Sequence, residues 1–295
     1  MRITIAGSGA IGSLFATYLS EGGHDIHLWT RGNATQIQRK RDENTQIGFA
    51  SNSPDRLAES DAVFVAVKAF HVEEVLTELA QYLHPDSPVI LTHNGMGTDE
   101  LAARILPNNP LLFATTTHGS LRLSDSHIRH TGKGQTLVGG LNDSGKRCEF
   151  LAEVIHHSLP PCTWSDNVYL ALWQKLAINC VINPLTAVHK IKNGELLNKK
   201  FSEVISSLSE EITNVMLADG MDSDCDIIRQ NALQVAKDTA ENYSSMNRDL
   251  HFKRRSEVDF ITGYLISRAN IHGIDVPANL SLWQQIKNLE QSYEK

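Results

Sequence analysis

"RITIAGSGAIGSLFATYLSEGGHDIHLWTR", from Arg2 to Arg31, decides the fold class. Arg2 to Ala6 alternates and is rich in isoleucine, as a buried strand is, and Ala10 to Glu21 carries a helical pattern stopped by Gly22-Gly23. Asp25 to Trp29 reads as the next strand. Between the first strand and the helix, Gly7, Ser8, Gly9, Ala10, Ile11 and Gly12 form a G-x-G-x-x-G. In that position each glycine has a task. Gly7 makes the tight turn, Gly9 lets backbone approach a pyrophosphate, and Gly12 allows close helix packing, with the phosphates on the helix N-terminus. A loop cluster of glycines is the competing reading, and the strand-turn-helix context argues against it. The expectation is a Rossmann-like, doubly wound α/β domain at the N-terminus that binds a dinucleotide.

In NAD-binding versions an acidic residue near the end of the second strand bonds the ribose 2′-hydroxyl. This chain carries Arg31 there, in "WTRGN". A guanidinium grips a 2′-phosphate with paired charge-assisted bonds where a carboxylate would repel it, so Arg31 points to NADP(H). A solvated surface arginine is the alternative. Two more strand-like runs end on polar residues: "DAVFVAVK" at Lys68 and "SPVILTHNGMG" at Asn94-Gly95. Ligands of open parallel sheets bind outside the carboxyl ends of the strands, where Lys68 and Asn94 fall. "LLFATTTHGS" reads as a further strand, "HIRHTGKGQTLVGG" as a hairpin or edge structure closing the domain, and "PCTWSD" as a last strand around Cys162 to Trp164.

From Asn167 onward the periodicity is helical. Phe201, Val204, Ile205, Leu208, Ile212, Val215 and Met216 form one amphipathic stripe ending at Gly220. Val258, Ile261, Leu265 and Ile266 form another ending near Gly273, and Pro277 separates a final helix. The expected organisation is an NADP-binding domain over residues 1–165 and an all-α substrate and catalytic domain over residues 166–295.

Composition restricts the function classes. Hydrophobic residues at 41% and charged residues at 21% describe an ordinary globular protein, and the formal net charge of -7 argues against nucleic acid or anionic membrane as the main partner. The four cysteines, Cys148, Cys162, Cys180 and Cys225, have neither C-x-x-C nor metal-ligand spacing and read as reduced thiols. No metal is expected. With no basic, apolar leader and no span-length apolar run, the expected location is the cytoplasm.

Within the helical half, "KLAINCVINP" (Lys175 to Pro184) is apolar except at Lys175, Asn179 and Asn183, every fourth residue. On a helix a step of four advances by roughly 40°, so the three groups make a narrow polar stripe. Pro184 is expected to end or kink the helix. If a reduced dinucleotide faces this stripe, ketone reduction needs an acid beside the developing alkoxide, and Lys175 qualifies because a buried lysine shifts its pKa readily. Asn179 and Asn183 bind a hydroxyl or carboxylate without adding charge. Glu257, in "ENYSSMNRDLHFKRRSEVDF" with Asn242, Ser244 and Ser245, would orient the ammonium. The structural alternatives are amides satisfying backbone, a lysine snorkelling outward, Ser-Ser as turn chemistry and Glu257 as a first-turn helix acid.

These residues carry a resemblance to the ketopantoate reductase (2-dehydropantoate 2-reductase) family along nearly the whole chain. It rests on "GSGAIG", "VKAF" at Lys68, "HNGMGT" at Asn94, "TTTHG" at His118, "LWQKLAINCVINPLTA", "NGEL" at Asn193, and "ENYSSM" followed by "SEVDFITG". The resemblance implies NADPH-dependent reduction of 2-dehydropantoate to (R)-pantoate on the route to pantothenate and coenzyme A. It implies that Gly7, Ser8, Gly9, Ala10, Ile11, Gly12, Arg31, Lys68, Asn94 and Glu257 bind NADPH. Lys175 would be the proton donor with Glu257 as its companion, and Lys175, Asn179, Asn183, Asn193, Asn242 and Ser245 would line the substrate site. The partner implied is a small-molecule substrate, with the chain a monomer or homodimer.

The competing expectations are a reductase of another branched 2-keto acid and a catalytically silent NADPH-binding sensor. His118 reads as a strand-end cap in preference to a catalytic histidine, His156-His157 as surface, and Lys253 to Arg255 as a solvated approach to a helix.

Overall fold

The structure is a computed structural model that describes residues 1–293. The chain divides into two compact units: residues 1–93 with 98–171, and residues 94–97 with those from Leu172 onward.

The first unit is an α/β domain. In chain order it contains β1 (Arg2–Ala6), α1 (Ala10–Glu21), β2 (Asp25–Trp29), β3 (Gln36–Arg41), β4 (Ile47–Ser51), α2 (Pro54–Ala58), β5 (Ala62–Val65), α3 (Val72–Leu79), β6 (Val89–Leu91), α4 (Asp99–Ile105), β7 (Leu111–Thr116), β8 (Gly119–Arg122), β9 (His127–Gly132), β10 (Thr136–Gly140), α5 (Phe150–Ser158) and β11 (Cys162–Trp164). The strands of the described residues lie in the order β11-β10-β7-β6-β5-β1-β2-β4-β3-β9-β8. From β7 to β4 all neighbours run parallel. Such strands are covered on both faces and are apolar throughout, as "AVFV" of β5 and "VIL" of β6 are. Helix α1 buries Leu14, Phe15 and Leu19, and Phe15 meets Phe64 of β5 with ring centroids 5.5 Å apart.

The chain leaves β1 for β2 on one side and returns to β5 on the other, which makes the carboxyl ends of β1 and β5 the topological switch point. Gly7 follows β1 there and Lys68 follows β5.

Two departures from the sequence expectation concern the sheet. β3 and β4 were not legible as strands, because "QIQRKR" is mostly polar. Its Arg39 and Arg41 nevertheless turn inward to Ser13 and Thr17 of α1, donating at 3.0 and 3.1 Å. The stretch from His127 to Gly140 is not one hairpin. β9 pairs antiparallel with β8, whereas β10 pairs antiparallel with β7 and parallel with β11 at the far end of the sheet. The fully buried Thr136 and Val138 complete the core beside β7, while β9 is half exposed.

The second unit is helical, with α6 (Val168–His189) leading into it, followed by α7 (Ser202–Ala218), α8 (Cys225–Asp238), α9 (Ser245–His251), α10 (Thr262–His272) and α11 (Pro277–Gln291). Pro184 does not end α6, which continues to His189. A proline there removes one backbone bond. The turn is retained by the buried Val181, Ile182 and Leu185 and by Thr186, whose hydroxyl donates to the Ile182 carbonyl at 2.8 Å. Gly273 closes α10 in the left-handed conformation (φ 68°), as a helix-ending glycine does. Among the described residues no helix is long and apolar enough to cross a membrane.

Candidate active site

In the first unit the glycine turn is built as its chemistry requires. Gly7 has φ 101°, and a Cβ on it would lie 2.6 Å from the Ala66 carbonyl oxygen. A Cβ on Gly12 would lie 2.0 Å from the Gly7 carbonyl oxygen. Both glycines are therefore demanded by the fold itself. Gly9 differs, since a Cβ there would meet nothing within 4 Å. Gly9 is the N-cap of α1 and supplies no side-chain cap, and the first turn, with Ala10, Ile11 and Gly12, carries no acid. A helix N-terminus with no side-chain cap and no acid is of the kind that suits an anion.

Arg31 stands past the end of β2, with its side chain 74% exposed. Its Nη2 lies 2.9 and 2.8 Å from the two ring nitrogens of His71 and 3.8 Å from Glu74. His71 was not anticipated. Its only sequence signal is its place three residues after Lys68, in the short turn Ala69–His71 that follows β5. Lys68 is the extended residue before that turn (φ −62°, ψ 145°), and its carbonyl accepts the His71 N–H at 2.8 Å.

In the second unit Lys175, Asn179 and Asn183 lie along α6 as the periodicity predicts. Lys175 and Asn179 are half-buried and Asn183 is buried. Burial pushes the Lys175 ammonium down to about 8, and the charge of Glu257 opposes that fall. Glu257 is itself only 4% exposed and accepts the Asn94 Nδ2–H at 3.3 Å. The backbone of the 94–97 segment joins the same cluster. Met96 N–H donates to the Phe260 carbonyl at 2.9 Å, and Gly95 (φ 88°) sits where a Cβ would lie 2.4 Å from that oxygen. Glu257 is not a first-turn acid, because α10 begins only at Thr262. Its carbonyl instead accepts the Phe260 and Ile261 N–H groups at 3.0 Å each in the turn before the helix.

The remaining polar residues assemble at the far end of α6. Asn193 N–H donates to the Asn242 carbonyl at 2.9 Å, and Asn193 Nδ2 donates to Thr239 Oγ1 at 2.9 Å. The buried Asn193 Oδ1 has no partner, so one acceptor remains to be satisfied. Ser244 and Ser245 are not loop residues of one kind. Ser244 is the buried N-cap of α9, accepting the Asn247 N–H at 3.1 Å and the Thr186 hydroxyl at 2.7 Å. Ser245 is the exposed first residue of the helix. Cys180, on α6, is buried and its thiol is pushed up to about 12 by burial, which leaves it no nucleophilic role.

His118 is a structural residue of the first unit. Its backbone N–H donates to Thr116 Oγ1 at 3.2 Å, and its Nδ1 accepts the Gly134 N–H at 3.0 Å. Burial first, and His130 second, hold its pKa below the usual histidine value. His156 Nδ1 accepts the Cys162 N–H at 3.2 Å and so ties α5 to β11. In the basic run the exposed Arg254 and Arg255 pair with the buried Asp249 and the partly buried Asp259 at 3.4 and 3.3 Å.

The first unit thus carries an uncapped helix N-terminus and an exposed arginine past its second strand, and the second unit carries a half-buried lysine under the charge of a buried glutamate. Residues 3–143 match the family model described as "Ketopantoate reductase PanE/ApbA", and residues 167–290 match "Ketopantoate reductase PanE/ApbA C terminal". A 2-dehydropantoate 2-reductase of Vibrio cholerae is 43% identical over the whole of both chains. The solved PanE/ApbA family ketopantoate reductase of Ralstonia eutropha superposes with a TM-score of 0.87 at 26% identity, covering all of both chains. A D-mandelate dehydrogenase solved with NADH and anilino(oxo)acetate shares the fold, with a TM-score of 0.89 at 20% identity over all of both chains. Matched in both of its halves and across its full length, the chain belongs to the ketopantoate reductase family.

Proposed function

We propose that this protein reduces 2-dehydropantoate to (R)-pantoate with NADPH, as a step toward pantothenate and coenzyme A. The observation that carries the reading is Lys175, a half-buried amine brought to a pKa of about 8 on a helix stripe that it shares with the neutral amides Asn179 and Asn183. Full-length similarity to enzymes named for this substrate supports the substrate class.

The first unit fits a dinucleotide phosphate. The uncapped α1 N-terminus would hold the pyrophosphate, the bare Cα of Gly9 would leave room for it, and Arg31 with His71 would hold the 2′-phosphate and so select NADPH over NADH. The family resemblance gives the same role to Lys68 in this unit and to Asn94 and Glu257 in the second. When bound, NADPH would supply the hydride for the ketone carbon.

Everything else is supplied by the chain. As the carbonyl oxygen gains charge, the Lys175 ammonium donates a proton to it. With a pKa of about 8 the lysine is largely protonated at neutral pH, yet it is a stronger acid than a solvated lysine. Glu257 keeps it charged despite burial. Asn179 and Asn183 hold the substrate carboxylate and hydroxyl, with Asn193, Asn242 and Ser245 completing the site. The amides orient without placing a negative charge beside an anionic substrate.

The decisive assay is NADPH oxidation with 2-dehydropantoate against a panel of branched and aryl 2-keto acids, compared by kcat/KM. The reading predicts that 2-dehydropantoate leads the panel. A different leader would reassign the substrate, and no oxidation with any acid would leave a binding protein.

A further inference from the structure

The loop carrying Glu257 joins α9 to α10 and is fastened to α11 on both sides of the glutamate. On the near side Ser256 is buried, and both its N–H and its hydroxyl donate to Glu290 Oε1 at 2.7 Å. The same hydroxyl oxygen accepts the Val258 N–H at 3.3 Å, closing a tight turn around Glu257. On the far side Asp259 accepts the Trp283 indole N–H at 3.1 Å and the Lys287 ammonium at 2.9 Å. Lys287 also lies 3.4 Å from Glu290, so one cation joins the two anchors. Trp283, Lys287 and Glu290 follow one another at steps of four and three along α11 and share one face of it.

The buried Val258 and Ile261 would hold this loop against the core without any of these bonds. Apolar burial is non-directional, however, and leaves the rotation of the backbone at Glu257 loosely defined. Charge-assisted bonds at the residue before and the second residue after Glu257 define it. Catalytic groups need that kind of support, since displacement by about an ångström is costly.

We propose that Ser256, Asp259, Trp283, Lys287 and Glu290 are positioning residues, a clamp from α11 that aims the Glu257 carboxylate at Asn94 and at the Lys175 ammonium. The proposal rests on the reading of Lys175 as the proton donor. When the clamp is loosened the carboxylate drifts, its Coulomb support weakens, and Lys175 gives up its proton at lower pH. The groups that set this balance are Glu257 facing Lys175, Asn94 facing Glu257, Arg255, Lys287 and Trp283 facing Asp259, and Ser256, Lys287 and the Tyr293 phenol facing Glu290.

The test compares the pH dependence of kcat/KM, NADPH affinity and Tm in the wild type, Asp259→Asn, Glu290→Gln and Lys287→Met, with Lys287→Arg as the conservative rescue. The clamp predicts that the alkaline limb moves to lower pH in the first three variants, by roughly half to one unit, while NADPH affinity stays within about twofold. Rates at pH 8 should fall by roughly two- to fivefold as that shift dictates, and Lys287→Arg should stay near wild type. A limb that remains at the wild-type pH in Asp259→Asn and Glu290→Gln, with only Tm lowered, overturns the positioning role. If either variant fails to fold, Lys287→Met reads the same limb from the partly exposed end of the clamp. Lys175→Ala separates the two claims: unchanged turnover in that variant would refute the acid assignment and not the clamp geometry.

Discussion

The Asn94 amide donates to the Glu257 carboxylate at 3.3 Å across 163 residues of sequence. This bond brings the segment after β6 and the turn before α10 into one compact unit. It orients a buried carboxylate through a neutral donor, and the charge of that carboxylate raises the Lys175 pKa against desolvation.

Lys175→Ala should lower kcat by about 10²- to 10⁴-fold while NADPH affinity stays nearly unchanged. The ammonium is the active form, so wild-type activity should be full below about pH 8 and fall above it, as the lysine deprotonates. Steady-state rates across pH with equilibrium fluorescence titration of NADPH check both. A rate that keeps rising above pH 9 would contradict the acid role.

The three motif glycines should separate by what they disturb. Gly12→Ala forces a Cβ to 2.0 Å from the Gly7 carbonyl, and Gly7→Ala adds a methyl at φ 101°, so both should lower Tm. Gly9→Ala meets no protein atom within 4 Å. Its Tm should stay within a degree or two while NADPH affinity drops about tenfold or more, because the new methyl occupies the space the phosphates approach. Thermal melts with and without NADPH distinguish the classes.

Arg31→Ala should reduce the preference for NADPH over NADH by about 10- to 100-fold, the worth of a lost charge-assisted pair. His71→Ala should reduce it less, since the histidine neighbours the guanidinium. The ratio of kcat/KM values for the two cofactors is the measurement, and a preference that survives Arg31→Ala would remove the 2′-phosphate role.

Asp219 closes the C-terminal end of α7 and accepts Arg268 Nε at 2.8 Å and His272 Nε2 at 2.7 Å, both from α10. Burial alone would raise its pKa. The bonds from Arg268 and His272 outweigh that and hold it below the usual carboxylate range. A carboxyl depressed in the folded state contributes stability above its unfolded pKa of about 3.9, and that contribution is lost as pH falls through the folded value. Asp219→Asn should therefore cost about 3 kcal/mol at pH 7 in denaturant melts and lose progressively less relative to wild type below about pH 4.

The stretch from Arg2 to Arg31 determined the α/β class by itself, because strand alternation, helical period and the missing Cβ atoms of Gly7 and Gly12 are properties of consecutive residues. The stripe of Lys175, Asn179 and Asn183 was legible for the same reason: an i, i+4 spacing survives in any helix. Of the two outcomes expected at Pro184, ending the helix does not occur, because a local rule about proline ignores the burial that carries α6 past it. β3 and the crossing of β9 and β10 were out of reach, because strand pairing depends on partners distant in the chain. Only the tertiary structure decided that Glu257 precedes its helix, bonds Asn94, and is flanked by anchors to α11. Those relations depend on which remote groups arrive within a few ångströms of a buried charge, and spacing along the sequence does not encode that distance.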